Sequence, residues 1–218
     1  MKCPIHRQQA NSFLRGSQYM FLVIGILALS YVAYVWFDAK LFQEEQNRLF
    51  VQQLKELAEA KRTGVQGPAG SPADSPAVAV RNGALLGRIE IPAVGIAAMV
   101  LEGLEYKILL RAVGHVPGTA LPGRQGNVAL AGHRDTFFRG LRDIGVDDEI
   151  TLTTSNGSYS YRVESIKVVK PEDVEVLNAS DESILTLVTC YPFELVGTAP
   201  RRFIVRAHRL PEDAGRFQ

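Results

Sequence analysis

The sequence predicts a mainly β domain over residues 85–210, tethered by an N-terminal transmembrane helix. Three observations lead to this prediction. Residues 19–37 form an uncharged apolar run, residues 64–77 are rich in Gly, Pro and small side chains, and the chain beyond them carries short apolar or alternating runs separated by turn residues. So many short strands within one segment favour a closed barrel or a sandwich.

The apolar run YMFLVIGILALSYVAYVWF holds 19 residues and no charge. As a helix it is long enough to cross a hydrocarbon layer of about 30 Å. Aromatic side chains lie at or toward its ends, as in an interfacial belt: Tyr19, Tyr31, Tyr34 and Trp36. A cleaved signal peptide is the alternative, but its apolar core is usually shorter, about 7–15 residues. We therefore predict an uncleaved anchor at residues 19–37, preceded by a cytoplasmic segment of residues 1–18.

The charges that flank the span predict its orientation. Basic residues precede the span without an acidic residue among them, whereas acidic residues are mixed with basic ones after it: Lys2, Arg7 and Arg15, then Asp38, Lys40, Glu44, Glu45 and Arg48. Because positively charged flanks tend to stay in the cytoplasm, we expect a single-pass protein of the cell membrane whose main domain lies outside. The membrane then separates Cys3 from Cys190, so the two cysteines cannot form an intramolecular disulfide.

Residues 38–62 predict an amphipathic helical stalk. Apolar residues recur there at helical spacing among good helix formers: Leu41, Phe42, Leu49, Phe50, Leu54 and Leu57. The stalk either packs on the following domain, dimerises or lies on the lipid surface, and the pattern favours none of these. Residues 63–84, which include GVQGPAGSPADSPA, predict a flexible linker, and residues 211–218 a short C-terminal tail.

The β domain is read from six apolar or alternating segments. They are LLGRIEIP, IAAMVLEG, NVALAGH, EITLTTSNGSYSYRVESIKVVKP, SILTLVTC and RFIVRAHRL. Asn156-Gly157 predicts a hairpin with a type I′ turn, whose two central positions need positive φ. FRGLRDI, from Phe138 to Ile144, is the candidate for a short helix.

Composition narrows the classes of function. The formal net charge is +1 and the signs are mixed evenly beyond the N-terminus, so no broad basic face is available for nucleic acid. The two cysteines of the chain cannot build a dense disulfide framework, and the domain must be held by hydrophobic packing. An unpaired thiol outside the membrane is a liability unless it is buried or used.

Cys190 ends the apolar, β-prone run SILTLVTC, and Tyr191-Pro192 stops the strand directly after it. A thiol at that position lies at the rim of a barrel. The alternative is a buried structural cysteine, because unpaired cysteine behaves as a small apolar side chain. The residues alone leave both interpretations open.

His133 occupies a similar place, because the strand NVALA runs into Gly132 and then into His133. An isolated histidine is more often a surface or hydrogen-bonded residue than a catalyst. Adjacent strand ends can nevertheless bring His133 to Cys190, where the imidazole accepts the thiol proton and later protonates a leaving amine. Asp135 either orients His133 or caps the short helix that follows, and we favour the cap.

Three arginines lie in the last apolar segment, PRRFIVRAHR: Arg201, Arg202 and Arg206. Exposure to solvent is the ordinary interpretation of an arginine. An inward guanidinium near Cys190 would instead stabilise a thiolate, hold a substrate carbonyl or neutralise an oxyanion. Arg202 and Arg206 share a strand face, so alternation does not choose between them.

These residues resemble the sortase family. TLVTC at 186–190 matches the TLxTC cysteine motif of that family, and AGH at 131–133 matches its histidine motif. RFIVRA at 202–207 is similar to the final strand of the family, whose first arginine is the functional one. The resemblance therefore selects Arg202 among the three arginines.

The likeness extends from about Leu86 to His208. The segments GRIEIPAVGI, GHVPGTALPGRQGNVALAGHRDTFF and TLVTCYPFELVGTAP are most similar to class D sortases. The resemblance implies a closed, eight-stranded sortase-type β-barrel with short helices.

The resemblance also implies a cysteine transpeptidase. Cys190 would attack the threonyl carbonyl of a C-terminal sorting signal similar to LPxTG, His133 would protonate the departing amine, and Arg202 would steady the oxyanion and the bound signal. The thioacyl enzyme would pass its protein to an amine of a peptidoglycan precursor or a pilin lysine, with hydrolysis as a side reaction. We expect the sorting-signal protein, the amine acceptor and the membrane as partners, and neither cofactor, metal ion nor nucleic acid.

Other features near these motifs also have expected roles. His115 is interpreted as structural, and the acidic residues 147–149 as a solvated turn rather than a calcium site, because other ligands are not evident. Tyr191 and Phe193 either line the groove for the signal or pack in the core.

Three other functions compete with this prediction. A papain-like hydrolase requires the cysteine before the histidine and a C-G-S-C-W string, neither of which this chain has. A metal-binding protein would use Cys190, His115, His133 and His208, whose spacing matches no compact zinc pattern. A noncatalytic, membrane-tethered β domain for protein binding predicts a buried, inert Cys190.

Overall fold

The structure is a computed structural model that describes residues 5–62, 80–195 and 197–211, with side chains from residue 15 to residue 59 in the first of these ranges. Most of the predicted linker, the tail beyond residue 211, Cys3 and the side chains of the N-terminal basic residues before residue 15 lie outside the described residues. The chain divides into two compact units, residues 1–41 and residues 42–218.

The first unit contains the N-terminal part of helix α1, whose bounds are Ile5–Arg62. Except for the half-buried Val35, the apolar side chains from Tyr19 to Phe37 are exposed, which suits a lipid environment rather than a packed core. Among the described residues, the segment Arg15–Glu59 is one helix that is long and apolar enough to cross a membrane. The transmembrane segment predicted at residues 19–37 lies within it.

The second unit contains a closed barrel of eight strands in the order β1-β2-β3-β4-β7-β8-β6-β5. The strands are β1 Leu85–Ile91, β2 Ile96–Glu102, β3 Val113–His115, β4 Asn127–Ala131, β5 Glu149–Thr154, β6 Gly157–Val169, β7 Ile184–Tyr191 and β8 Arg201–Arg209. Helix α2 spans Tyr106–Leu109, and short 3-10 helices span Pro92–Val94, Arg139–Asp143 and Val174–Leu177. Strand pairs β2–β3 and β4–β7 are parallel and the other pairs are antiparallel. The eight-stranded barrel with short helices is therefore confirmed.

The apolar alternation of the strands fills the barrel interior. On β7, Leu185 and Leu187 belong to the main buried cluster, and on β8 Phe203 and Val205 do. Successive residues of a strand point to opposite faces, so the residues between these positions face the outside of the barrel. The side chains at the ends of β7 and β8 also alternate between the inside and the outside of the barrel.

The β5–β6 hairpin corrects one detail of the sequence analysis. The strands pair with Thr154 opposite Gly157, so the two turn residues are Ser155 and Asn156. Among the described non-glycine residues only Asp147 has a positive φ, which rules out the predicted type I′ turn. The positive backbone angle falls instead on Gly157, whose φ is 155°. The hairpin prediction is correct and its turn type is wrong.

Within the second unit, the part of α1 after residue 42 packs on the barrel. The Gln43 carboxamide accepts a hydrogen bond from Met99 N at 2.8 Å and donates one to the Arg111 carbonyl at 2.6 Å. Arg88 Nη1 donates to Asn47 Oδ1 at 3.0 Å. Of the three alternatives for the stalk, this portion of the helix follows the first, packing on the domain.

Candidate active site

The strands β4, β7 and β8 are neighbours in the barrel and bring three predicted residues to one place. Cys190 on β7 is the direct cross-strand partner of Arg202 on β8. Directly paired residues in an antiparallel ladder carry Cβ atoms about 4.5–5.5 Å apart on one face. The candidate nucleophile and the candidate oxyanion-binding arginine therefore share a surface.

His133 joins this pair through the parallel contact of β4 with β7. Ala131 is registered with Val188, Gly132 N donates to the Val188 carbonyl at 3.2 Å, and Thr189 Oγ1 donates to the Gly132 carbonyl at 2.7 Å. Continuing this register by two residues brings His133 level with Cys190. The three candidate residues lie at adjacent strand ends, an arrangement that the sequence analysis expected for Cys190 and His133.

The turn after β4 is packed tightly on Phe138. Phe138 is fully buried, and its backbone N–H donates to the His133 carbonyl at 3.1 Å. A Cβ atom at Gly132 would lie 2.9 Å from the nearest ring carbon of Phe138. The AGH motif thus needs glycine because the aromatic ring approaches the backbone from which His133 projects.

The site faces the outside of the barrel, so Arg202 does not have the inward orientation that the sequence analysis considered beside the exposed one. Cys190 and Arg202 alternate with neighbours that enter the core, and both are partly exposed. A half-buried thiol on the outer face differs from the enclosed, inert cysteine required by a noncatalytic binding domain. In the part of the chain that the structure describes, no hydrogen bond joins the His133 imidazole to the Cys190 thiol; such contacts are often long without substrate.

The guanidinium of Arg202 is held by its own backbone neighbours. Its Nη1 donates to the carbonyls of Ala199 at 3.2 Å and Arg201 at 3.1 Å. Within the described residues, its other N–H groups make no hydrogen bond. A planar guanidinium anchored on one side can donate its remaining N–H groups to an oxygen of a bound molecule.

A cleft of about 180 Å³ continues the same outer face away from Cys190. Thr186 and Arg206 are paired in the β7–β8 ladder, and both line the cleft with Ile204. The far wall includes Glu175 and Val176 of the 3-10 helix between β6 and β7. The cleft therefore lies two to four residue pairs along the ladder from the Cys190–Arg202 pair.

Buried Asn127 fixes the wall of this cleft. Its Nδ2 donates to the carbonyls of Val176 at 3.0 Å and Asn178 at 3.1 Å, and its Oδ1 accepts from Thr186 Oγ1 at 2.7 Å. A role for this residue was not predicted from the sequence. A polar side chain at the first position of an otherwise apolar strand is the signal that could have identified it.

Asp135 and His115, two residues near the site, have defined surroundings in the structure. The prediction that Asp135 caps the following helix is wrong, because the 3-10 helix has Phe138 at its N-cap and no side-chain cap. His115 is buried, with Nδ1 2.6 Å from Glu102 Oε2 and Nε2 2.9 Å from the Ala120 carbonyl, which fits a structural role. Among the described residues no group of three His, Cys, Asp or Glu side chains could hold a metal ion.

The acidic residues 147–149 and the aromatic residues near Cys190 also have defined contacts. Asp148 Oδ2 accepts from Gly145 N at 2.8 Å, and Glu149 lies 3.2 Å from Arg162 Nη2, which is the arrangement of a surface turn. Tyr191 and Phe193 pack with Phe203 and against the core cluster, at ring-centroid distances of 5.2 to 6.2 Å. Both aromatic residues therefore have a packing role.

Comparison with known proteins agrees with the geometry of the site. The profile described as Sortase domain matches residues 89–210, which is more than half of the chain. The chain belongs to the sortase family. Sortase D of Bacillus subtilis (strain 168) is 34% identical to this sortase over 125 residues, and Sortase A of Bacillus anthracis is 32% identical over 110 residues.

These matches cover 57% and 49% of this chain, and 63% and 52% of the length of the two relatives. Among solved structures, a Clostridium perfringens Sortase D5 transpeptidase has a TM-score of 0.60 and 30% identity, over 79% of this chain and 98% of that one. Sortase A from Corynebacterium diphtheriae has a TM-score of 0.57 and 25% identity, over 77% and 87% of the two chains. The likeness to class D sortases predicted from the motifs is thereby confirmed.

Proposed function

We propose that this sortase is a cysteine transpeptidase in which Cys190 is the nucleophile, His133 the general acid and base, and Arg202 the electrostatic partner. The observation that carries the proposal is the direct pairing of Cys190 with Arg202 beside the His133 turn, on an outer face that continues into a cleft. The substrate is a protein that bears a C-terminal sorting signal similar to LPxTG.

In the first half-reaction, the Cys190 sulfur attacks the threonyl carbonyl carbon of the signal. The new C–S bond forms as the peptide C–N bond breaks, and the thiol proton passes through the His133 imidazole to the leaving amine. Negative charge that develops on the carbonyl oxygen is met by the N–H groups of Arg202 that point away from its backbone anchors. The product is a thioacyl enzyme.

In the second half-reaction, an acceptor amine attacks the thioester carbonyl. A C–N bond forms, the C–S bond breaks, and a proton of the amine returns through His133 to the sulfur. The acceptor is an amine of a peptidoglycan precursor or a pilin lysine, and water at the same position gives hydrolysis. This sequence needs no oxidant, reductant or cofactor.

The test uses the full chain in detergent, an LPxTG-type peptide panel and a small primary amine. Mass spectrometry should detect a thioacyl adduct on Cys190 and an amide product, and Cys190→Ala should form neither. His133→Ala and Arg202→Gln should keep the fold by circular dichroism and lose about 100-fold or more in turnover, the scale of a lost acid–base or oxyanion group.

Two neighbouring residues provide matched controls. Arg201 and His208 lie on β8 and are exposed, so Arg201→Gln and His208→Ala should keep turnover within about twofold, as expected of surface substitutions. If the wild type forms no adduct with any peptide of the panel, the proposed activity is wrong. Wild-type turnover in His133→Ala or Arg202→Gln would refute the role assigned to that residue.

The proposal includes a single-pass orientation with the N-terminus in the cytoplasm and the catalytic domain outside. The basic flank before the span and the acidic residues after it support this orientation. In intact cells, a membrane-impermeant maleimide should label Cys190 and leave Cys3 unlabelled until the membrane is permeabilised. Labelling of Cys3 alone in intact cells would contradict this orientation and place the N-terminus outside.

A further inference from the structure

Arg134 follows the candidate acid–base residue and is one of the most buried charged side chains of the barrel. It is 9% exposed. Its Nη1 donates to the Pro192 carbonyl at 2.9 Å, and its Nη2 donates to the carbonyls of Leu195 and Gly197, the latter at 2.8 Å. A buried guanidinium is tolerated only when its N–H groups are satisfied, and here backbone carbonyls of one loop satisfy them.

The loop that Arg134 holds is the connection between β7 and β8. It begins two residues after Cys190 and ends two residues before Arg202. Among the described residues, Arg134 is the only side chain that donates hydrogen bonds to carbonyls between Pro192 and Gly197. One side chain therefore ties the turn that carries the histidine to the segment between the cysteine and the arginine.

The barrel does not depend on this contact for its own pairing. Strands β7 and β8 are paired from Ile184 opposite His208 to Tyr191 opposite Arg201, and the interior is filled by the apolar face of the same strands. Loss of the guanidinium would leave this ladder and core in place. It would release the loop and remove a fixed distance between β4 and the end of β7.

We propose that Arg134 is a positioning residue that aligns the β7–β8 loop with the His133 turn for attack on a bound sorting signal. This inference rests on the proposed function of the site. We call the three hydrogen bonds from Arg134 to the loop the Arg134 clamp. Displacing a reacting group by about 1 Å can cost on the order of 100-fold in rate, so loss of the clamp should slow thioacylation by a peptide. It should have little effect on reactions of Cys190 with small reagents, because these need no aligned loop.

The experiment compares Arg134→Gln with wild type in the full chain. We expect the rate of thioacyl-enzyme formation with a sorting-signal peptide to fall about 10- to 100-fold, while alkylation by iodoacetamide stays within about twofold across its pH profile. Amide hydrogen exchange should accelerate in residues 193–199 and stay unchanged in β1, β2 and β5. Arg134→Lys should recover little, because an ammonium lacks the planar fork that reaches three carbonyls.

Arg139→Gln is the matched control, because this arginine is exposed and begins the 3-10 helix that follows the His133 turn. It should behave as wild type in all three measurements. Wild-type thioacylation by Arg134→Gln would overturn the inference. A parallel loss of thioacylation, iodoacetamide reactivity and melting temperature would overturn it in favour of a purely structural role.

The clamp and the proposed function fail in distinguishable ways. If the wild type forms no adduct with any peptide, the proposed function fails. Hydrogen exchange then tests separately whether Arg134 restrains the β7–β8 loop. Unchanged protection of residues 193–199 in Arg134→Gln overturns that part of the inference.

Discussion

Replacing Tyr161 by phenylalanine should maintain or increase stability at neutral pH and should remove a loss of stability between pH 10 and pH 12. Tyr161 lies on β6, is 0% exposed, and its hydroxyl has no hydrogen-bond partner among the described residues. A buried, unpaired polar group costs about 1–3 kcal/mol. Removing the hydroxyl also removes some van der Waals contacts, so we expect a net gain of zero to about 2 kcal/mol in the free energy of unfolding.

The pH dependence follows from the pKa of the same hydroxyl. Burial raises the pKa of Tyr161 from 10.0 to about 12, with smaller opposing effects from Arg209, which lowers it, and Tyr159, which raises it. Because the pKa of Tyr161 is higher in the folded state than in the unfolded state, the stability that depends on the protonated hydroxyl is fully present below pH 10. It is lost as the pH rises toward 12, by about 3 kcal/mol in total, or roughly 1 kcal/mol already at pH 11.

The assay is urea unfolding of the full chain in detergent, followed by near-ultraviolet circular dichroism at pH 8, 10 and 11. The difference between wild type and Tyr161→Phe cancels the titration of other groups. Absorbance at 295 nm should show one fewer late-titrating phenol in the variant. Tyr159→Phe is the matched control, since this residue shares the strand and is only partly buried, and it should retain the late titration.

Two results would refute the reasoning. A parallel fall in stability for wild type and Tyr161→Phe from pH 10 to pH 11 would show that the phenol does not titrate late. A loss of more than about 1 kcal/mol at pH 8 would show that the hydroxyl has a partner, since that is the net value of a typical hydrogen bond.

Three other substitutions test contacts that hold the barrel and its loops. Asn127→Asp keeps an acceptor but loses the N–H donor to the cleft wall, so it should raise KM for a sorting-signal peptide as much as Asn127→Ala does. A KM equal to that of the wild type would show that the cleft wall does not need this anchor. Glu102→Ala should cost about 3–5 kcal/mol in urea unfolding, because it leaves His115 without its buried partner, and Glu102→Gln should cost less; equal losses would contradict a hydrogen-bonded pair. Gln43→Ala should accelerate hydrogen exchange at the Met99 amide about 5- to 10-fold, as expected for about 1 kcal/mol of lost hydrogen bonding; unchanged exchange would mean that the helix does not protect this edge.

The sequence was sufficient to predict the long elements of the fold. Strands such as β7 and β8 carry an apolar alternation that sheet formation requires, and the uncharged run at residues 19–37 has the composition of a membrane span. The strand Val113–His115 was missed because three residues show no period. It forms because β2 and β4 supply its hydrogen-bond partners, which is information that no local pattern contains.

The same limit applies to the candidate site. Cys190, His133 and Arg202 could be identified as candidates because Cys190 and His133 stand at the ends of apolar strands and all three lie in motifs that resemble those of the sortase family. Arg134 could not, since the cost of burying its charge is offset only by carbonyls about 60 residues away in the chain. Asp135 was misinterpreted as a cap because the 3-10 helix begins at Arg139, four residues after it, and has Phe138 at its N-cap.

Closure of the barrel limits how any extended peptide can be recognised. In the strand order observed, every strand has a neighbour on both sides, so the sheet offers no free row of N–H and C=O groups to which a ninth strand could add. Under the proposed function, discrimination among peptides must then reside in side chains on the outer face of β7 and β8 and in the β6–β7 and β7–β8 connections that flank this face. Those connections can change in sequence while the ladder stays constant, which allows one barrel to be adapted to different signals.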